Sequence, residues 1–213
     1  KPSSLGELVQ SALIGYGGPH PAVEPEADTP LSFSFDHGKE LWSLNDYQDP
    51  EYMNLGARTP PGAAPARLVF NSIAGEPTPG ALELHLTISA KDQYVIAETA
   101  VVENLQGKTL HARVRLASGS LSGAAPSLHA CAGANFSCLQ GPPIDPARLA
   151  SGEWVSLDWS PSTVMDPSFD VTQVTFVGVA VDASLSTDAS LPETSDVAPA
   201  RAEAVLEIDS FTD

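Results

Sequence analysis

The sequence is poor in positive charge: 10 Lys and Arg stand against 27 Asp and Glu in 213 residues, a formal net charge of −17. Cations spread thinly from Lys1 to Arg201 give no basic face, which argues against nucleic acid and anionic membrane surfaces as partners. No run of about 18 apolar residues occurs, so no membrane-spanning helix and no membrane insertion are expected. Catalytic signatures are equally thin. Gly119-Ser120-Leu121-Ser122-Gly123 puts Leu where a nucleophile elbow needs Ser, and neither a His-Glu-x-x-His pair nor a phosphate-binding glycine loop occurs. The histidines at 20, 37, 85, 111 and 129 are scattered and read as surface or hydrogen-bonded residues rather than catalytic bases. No signal peptide is expected, since Lys1-Pro2-Ser3-Ser4 leads into only a brief apolar stretch, and a start on Lys suggests a trimmed or mature fragment.

Cysteine is also scarce. Cys131 and Cys138 are the only two, and they bracket one short loop. A disulfide between them would stabilise by about 2 to 3 kcal/mol and would mainly pin that loop, with two free thiols as the alternative. Zinc is disfavoured, because a structural site wants four N or S ligands and only His129 is close in sequence. This pair, the acidity and the missing basic patch together favour an extracytoplasmic setting, whether secreted, periplasmic or at the cell surface.

What the chain does contain is turn chemistry. It has 19 Pro and 16 Gly with only 17% charged residues, a mix that favours an all-β protein with many loops over helices. A chain of this length can bury roughly 70% of its unfolded surface and support a core without metals. Residues 1–30 read differently from the rest. Leu5, Leu8, Val9 and Ala12 have helical spacing behind a Ser4/Glu7 capping box, which predicts a short N-terminal helix, and residues 20–30 read as a Pro- and acid-rich extended linker.

From Leu31 the period becomes two, as Leu31, Phe33 and Phe35 alternate with Ser32, Ser34 and Asp36. Further strands are expected at 66–71, 81–88, 93–98, 109–117, 127–130, 154–159, 173–181 and 204–211. The last but one is apolar at nearly every position and should be central. In 110–116 the apolar residues face one way while His111, Arg113 and Arg115 face the other. About nine strands predict a two-sheet antiparallel β-sandwich over residues 31–213.

Three segments carry a resemblance: Phe33-Ser34-Phe35-Asp36-His37-Gly38, then Leu105-Gln106-Gly107-Lys108-Thr109-Leu110-His111-Ala112-Arg113-Val114-Arg115-Leu116, then Ile208-Asp209-Ser210-Phe211. Together with Gly152-Glu153-Trp154 and the apolar strand after Phe169, their order resembles the jelly-roll carbohydrate-binding modules of the galactose-binding-like superfamily. The resemblance implies a noncatalytic module that binds polysaccharide, beside further domains of a longer chain. It also implies a structural calcium ion where the first and last strands meet, with Asp36 and Asp209 as matching carboxylates and Glu40 as a weaker addition. Calcium takes six to eight hard oxygens, so these with backbone carbonyls would suffice.

Aromatic residues, only 7% of the chain, are the candidates for stacking against sugar rings. Trp42, Tyr47 and Tyr52 sit in a long loop and Tyr94 on a strand. With His111, Arg113 and Arg115 they are the expected glycan site. The alternative for the loop group is to plug the edge of the sandwich. Trp154 and Trp159 fall on opposite faces of one strand, with Trp159 expected inward beside Val155 and Leu157. Two other functions remain open: a structural or adhesive domain that docks a protein, and a glycan-cleaving enzyme, for which Glu83 and Glu98 on neighbouring strands are the candidate carboxylate pair. Much of the negative charge falls before Leu31, in the loop from Asp46 and in the segment after Val181, so it reads as solubility rather than as a ligand signal.

Overall fold

The computed structural model describes residues 30–44, 65–133, 137–164, 166–186, 188–194 and 201–213. The expected N-terminal helix, all but the last residue of the expected linker, and Tyr47 and Tyr52 lie outside these residues. Eleven strands are described: β1 (Ser32–Phe33), β2 (Ser43–Leu44), β3 (Arg67–Asn71), β4 (Ala81–Leu86), β5 (Tyr94–Glu103), β6 (Leu110–Ser118), β7 (Ala125–Ala132), β8 (Ser137–Gln140), β9 (Val155–Trp159), β10 (Val174–Asp182) and β11 (Ala204–Thr212). One short helix, α1 (Pro146–Leu149), precedes β9. Among the described residues no helix is long and apolar enough to cross a membrane.

The strands form two antiparallel sheets. The first has the order β3-β4-β11-β6-β9 with β1 also paired to β11, and the second the order β2-β5-β10-β7-β8. From β4 to β7, and again from β9 to β11, each strand crosses to the other sheet, so both inner faces are built together as a jelly-roll sandwich. Period-two alternation decides which side chains enter the core. Leu110, Ala112 and Val114 of β6 are buried, as are Val155, Leu157 and Trp159 of β9. In β10, Val177, Val179 and Val181 point inward, while Gly178 and Ala180 on the outer side are also covered, as expected for a central strand.

The first expected strand stops early. Phe35 adopts a left-handed φ of 57°, which ends the extended run after Phe33 and turns the Phe35 ring into the core at 0% exposure. Its amide donates to Glu40 Oε1 at 3.0 Å. The two ends of the sandwich meet beside β1, where the Leu31 amide donates to Asp213 Oδ1 at 2.9 Å and the Asp213 amide to the Leu31 carbonyl at 3.3 Å.

Candidate functional site

The described residues among those expected to bind glycan, Trp42, Tyr94, His111, Arg113 and Arg115, do not converge; the fold distributes them among the core and two opposite outer faces. Trp42 belongs to the core, with its ring centroid 5.2 Å from Phe211, 5.3 Å from Phe35 and 5.7 Å from Phe33, all edge-to-face. At 2% exposure it offers no ring to a ligand and plugs the sandwich instead. His111, Arg113 and Arg115 stand on the outer face of the first sheet, whereas Tyr94 stands on that of the second.

The outer face of the first sheet is organised by ion pairs. Arg115 meets Glu207 Oε2 through Nε at 2.7 Å and Nη2 at 2.5 Å, and Arg113 Nη1 meets Asp209 Oδ2 at 3.0 Å. Both guanidinium groups lie under the half-buried Trp154 ring, 4.6 Å from its centroid for Arg115 and 5.5 Å for Arg113. Trp154 shares this side with Ser156 and Asp158, because Val155, Leu157 and Trp159 alternate inward. Next to it, His111 Nδ1 and Asp158 Oδ1 form an exposed pair 2.5 Å apart. Sequence parity alone had placed Trp154 opposite Trp159; what it lacked was the neighbouring strand that sets both arginines beneath the ring.

Further along this sheet, His85 bridges Glu83 at 2.9 Å and Glu203 at 3.1 Å, while Asn71 donates to Glu83 at 2.6 Å. Burial alone would raise the Glu83 carboxyl, but these hydrogen bonds outweigh it and hold it below its ordinary value.

The outer face of the second sheet is built in the opposite way. Glu98 of β5 and His129 of β7 both pair with Gly178 of β10, and the missing side chain there lets Glu98 Oε2 and His129 Nε2 approach to 3.5 Å. A Cβ on Gly178 would collide with the Ala97 carbonyl and lie 2.8 Å from the Glu98 Cβ. Glu98 is 8% and His129 1% exposed. Desolvation pushes the Glu98 carboxyl up to about 7 and the His129 imidazole down to about 4. Between those values the two groups are neutral neighbours rather than an ion pair.

A chain of polar contacts continues outward. Tyr94 Oη lies 3.4 Å from His129 Nδ1, Gln140 Nε2 donates to Tyr94 Oη at 2.6 Å, and Ser127 Oγ donates to Gln140 Oε1 at 3.1 Å. Burial, then the Asp182 charge, raises the Tyr94 phenol against the Gln140 hydrogen bond. A cavity of about 280 Å³ opens at this end, lined by Tyr94, Gln140, Lys91, Asp182 and Ser184 among others. Cys131 and Cys138 form a disulfide across the register pair joining β7 and β8.

Glu83 and Glu98 stand on the outer faces of different sheets with the core between them, so the candidate pair for glycan cleavage does not face one substrate.

The corner expected to hold calcium gathers hard oxygens. Asp209 sits at a register shift of β11, where the extra residue turns its buried carboxylate towards the loop before β4. Its Oδ1 accepts the Glu76 amide at 3.2 Å and its Oδ2 faces Arg113. Burial is the main reason that the Asp209 carboxyl is raised, and the charges of Asp36 and Glu76 add to it. Asp36 accepts the Thr78 hydroxyl at 2.9 Å. The carbonyl oxygens of Thr78 and Gly80 and the Asp209 Oδ1 all lie within 2.8 Å of where a Cβ on Gly75 would be, so only glycine lets them close together there. These oxygens, carboxylates and carbonyls, are of the type calcium takes, although Arg113 Nη1 already donates to Asp209 Oδ2 and to the Glu76 carbonyl beside them. Glu40, the weaker of the expected ligands, likewise has Oε1 engaged, by the Phe35 amide.

No protein-family model matches the chain, and no curated protein matches it in sequence. Solved structures do. A carbohydrate-binding module of the β-sandwich superfamily superposes with a TM-score of 0.53 at 14% identity, covering 87% of this chain. The chain spans 61% of the length of that structure. A xylan-binding module of the CBM15 type gives a TM-score of 0.49 at 11% identity over 87% of this chain and 95% of its own. A CBM22-1 xylan-binding domain from Paenibacillus barcinonensis gives 0.48 at 12% identity over 89% and 96%. The first of these likenesses shows a shared β-sandwich fold.

Proposed function

We propose that residues 31–213 are a noncatalytic carbohydrate-binding module and that its ligand, a polysaccharide or glycan, stacks on Trp154. The observation carrying this reading is the ring itself: half-buried, on the outer face of the first sheet, held by two guanidinium groups that buried carboxylates fix in turn. A pyranose presents an apolar C–H face to a flat ring and needs polar groups at its rim, which His111, Asp158 and Ser156 supply. Arg113, Arg115 and His111 face Asp209, Glu207 and Asp158 one for one, so the patch suits a neutral glycan better than an acidic one. The shared fold with a carbohydrate-binding module supports the same reading.

Affinity electrophoresis and calorimetry against a panel of soluble polysaccharides test it. Retardation by at least one neutral glycan is expected, and Trp154→Ala should abolish it while Tyr94→Phe leaves it intact. No retardation by any member of the panel would sink the proposal.

The disulfide and the acidity support an extracytoplasmic location, and the family resemblance implies that the module works beside further domains of a longer chain. We also propose structural calcium at Asp36 and Asp209 with the carbonyls of the 75–80 turn. When bound it would supply positive charge between the first and last strands. A lower melting temperature in chelator, reversed by added calcium and absent in Asp36→Asn, is the expected result.

A further inference from the structure

We propose that reduction of the disulfide converts the outer face of the second sheet into a four-ligand zinc site formed by Cys131, Cys138, His129 and Glu98. The ligand atoms of His129, Cys131 and Cys138 already lie within 4.8 Å of one another. His129 Nε2 is 3.1 Å from Cys131 Sγ and 3.5 Å from Glu98 Oε2. Tetrahedral zinc bonded to nitrogen, oxygen and thiolate separates its ligand atoms by about 3.3 to 3.8 Å, so His129 already stands at about that spacing from Cys131 and from Glu98, while the two sulfurs must part on reduction and the Glu98 carboxylate, which lies outside the 4.8 Å group, must swing towards them. The fourth ligand is invisible in sequence, since Glu98 arrives from β5 across the gap left by Gly178.

Two features mark this as a built site. Glu98 Oε2 is buried without a hydrogen-bond partner, an unmet acceptor aimed at the imidazole. Behind the imidazole stands Tyr94 Oη at 3.4 Å from Nδ1, itself held by Gln140. With Nδ1–H donating to that oxygen, the Nε2 lone pair is presented to the metal, the arrangement by which outer-shell partners orient zinc-bound histidines.

Oxidised, neither sulfur is a thiolate and the site takes no zinc. A phosphine supplies the two electrons. It attacks the sulfur of Cys138, the exposed member of the pair, and the S–S bonding electrons leave on Cys131. Water then releases the phosphine oxide and the Cys138 thiol, giving two thiols in all. Zinc binds without changing oxidation state, displacing both thiol protons and any proton on Glu98.

The test uses the full chain with zinc chloride, with and without a water-soluble phosphine, read by native mass spectrometry and by the thiolate-to-metal band of the cobalt-substituted form. Circular dichroism follows the fold in parallel. One equivalent of zinc is expected in the reduced chain and none in the oxidised chain. Cys138→Ser should lose the metal, and Glu98→Gln and Tyr94→Phe should each weaken it by about tenfold or more. His129→Asn should also lose the metal, and Tyr94→Phe keeps the readout meaningful if that variant does not fold. Equal zinc uptake by oxidised and reduced chains would overturn the site. So would uptake insensitive to Glu98 and Tyr94, or a reduced chain that loses its strand spectrum and does not regain it with zinc.

Discussion

The two outer faces of this sandwich solve the same problem in opposite ways. Each carries titratable side chains on a sheet whose other side is core. On the first, Glu207 and Asp209 are buried but meet arginines that reach towards solvent, so the carboxylates are matched by full countercharge. On the second, Glu98 and His129 have no such partner and shed their charge, the acid by holding its proton and the imidazole by refusing one. Burial alone therefore does not decide the state of a charged residue; what decides it is whether a mobile cation can follow it in.

Substitutions at four places on the two faces separate the effect of countercharge from that of burial. Between pH 4.5 and 6.5 the folded protein keeps one proton on Glu98, whereas the unfolded chain keeps one on His129, so their contributions to the pH slope cancel. Removing either partner exposes the other. In Glu98→Gln, stability should fall as pH drops from about 6.5 to 4, because only the unfolded imidazole gains a proton there. In His129→Asn it should fall as pH rises from about 4.5 to 7, because only the unfolded carboxyl loses one. Each slope approaches about 1.4 kcal/mol per pH unit, or roughly 3 kcal/mol in all, in urea titrations of the oxidised chain across pH.

Gly178→Ala should cost about 2 to 3 kcal/mol in calorimetry, since a methyl group there meets the backbone carbonyl of Ala97, which cannot move without breaking the sheet. On the first face, Glu207→Gln should cost about 1 kcal/mol, less than a fully buried pair would, because Arg115 can turn to solvent and keep its contact with Trp154. The smallest effect belongs to His111 and Asp158, both about half exposed. Replacing either should change stability by less than about 0.5 kcal/mol, and added salt should erase even that. An Asp158→Asn variant as damaging as Glu207→Gln would show that exposure is not what separates these pairs.

Sequence periodicity read this architecture well where strands are half exposed. The outward row of His111, Arg113 and Arg115 and the inward row of Val155, Leu157 and Trp159 followed directly from alternation. Central β10 was legible for the complementary reason, being apolar on both faces. Two short strands were not: β2 has two residues and β8 four, too few for a period to register, whereas the equally short β1 showed itself because Leu31 and Phe35 extend its alternation on either side. Trp42 looked like a loop aromatic because nothing local says that the chain folds its ring back onto Phe211, 169 positions away. The Glu98 and His129 contact was hidden for a sharper reason, since it depends on which strand lies between β5 and β7 and on that strand having glycine at the crossing. Glu83 and Glu98 illustrate the converse error: strands adjacent in sequence were read as adjacent in space, although in this topology they belong to different sheets.

The meeting of Leu31 with Asp213 bears on how the domain carries mechanical load. Tension that separates these two residues acts on the same end of neighbouring antiparallel strands, so the hydrogen bonds are stressed one after another instead of all at once. The domain should open there like a zipper, at low force, with β1 peeling from β11 before either sheet is sheared. In single-molecule stretching the first event should thus be the release of a few residues around Ser32 and Phe33, leaving the greater part of the sandwich still folded and its outer faces intact.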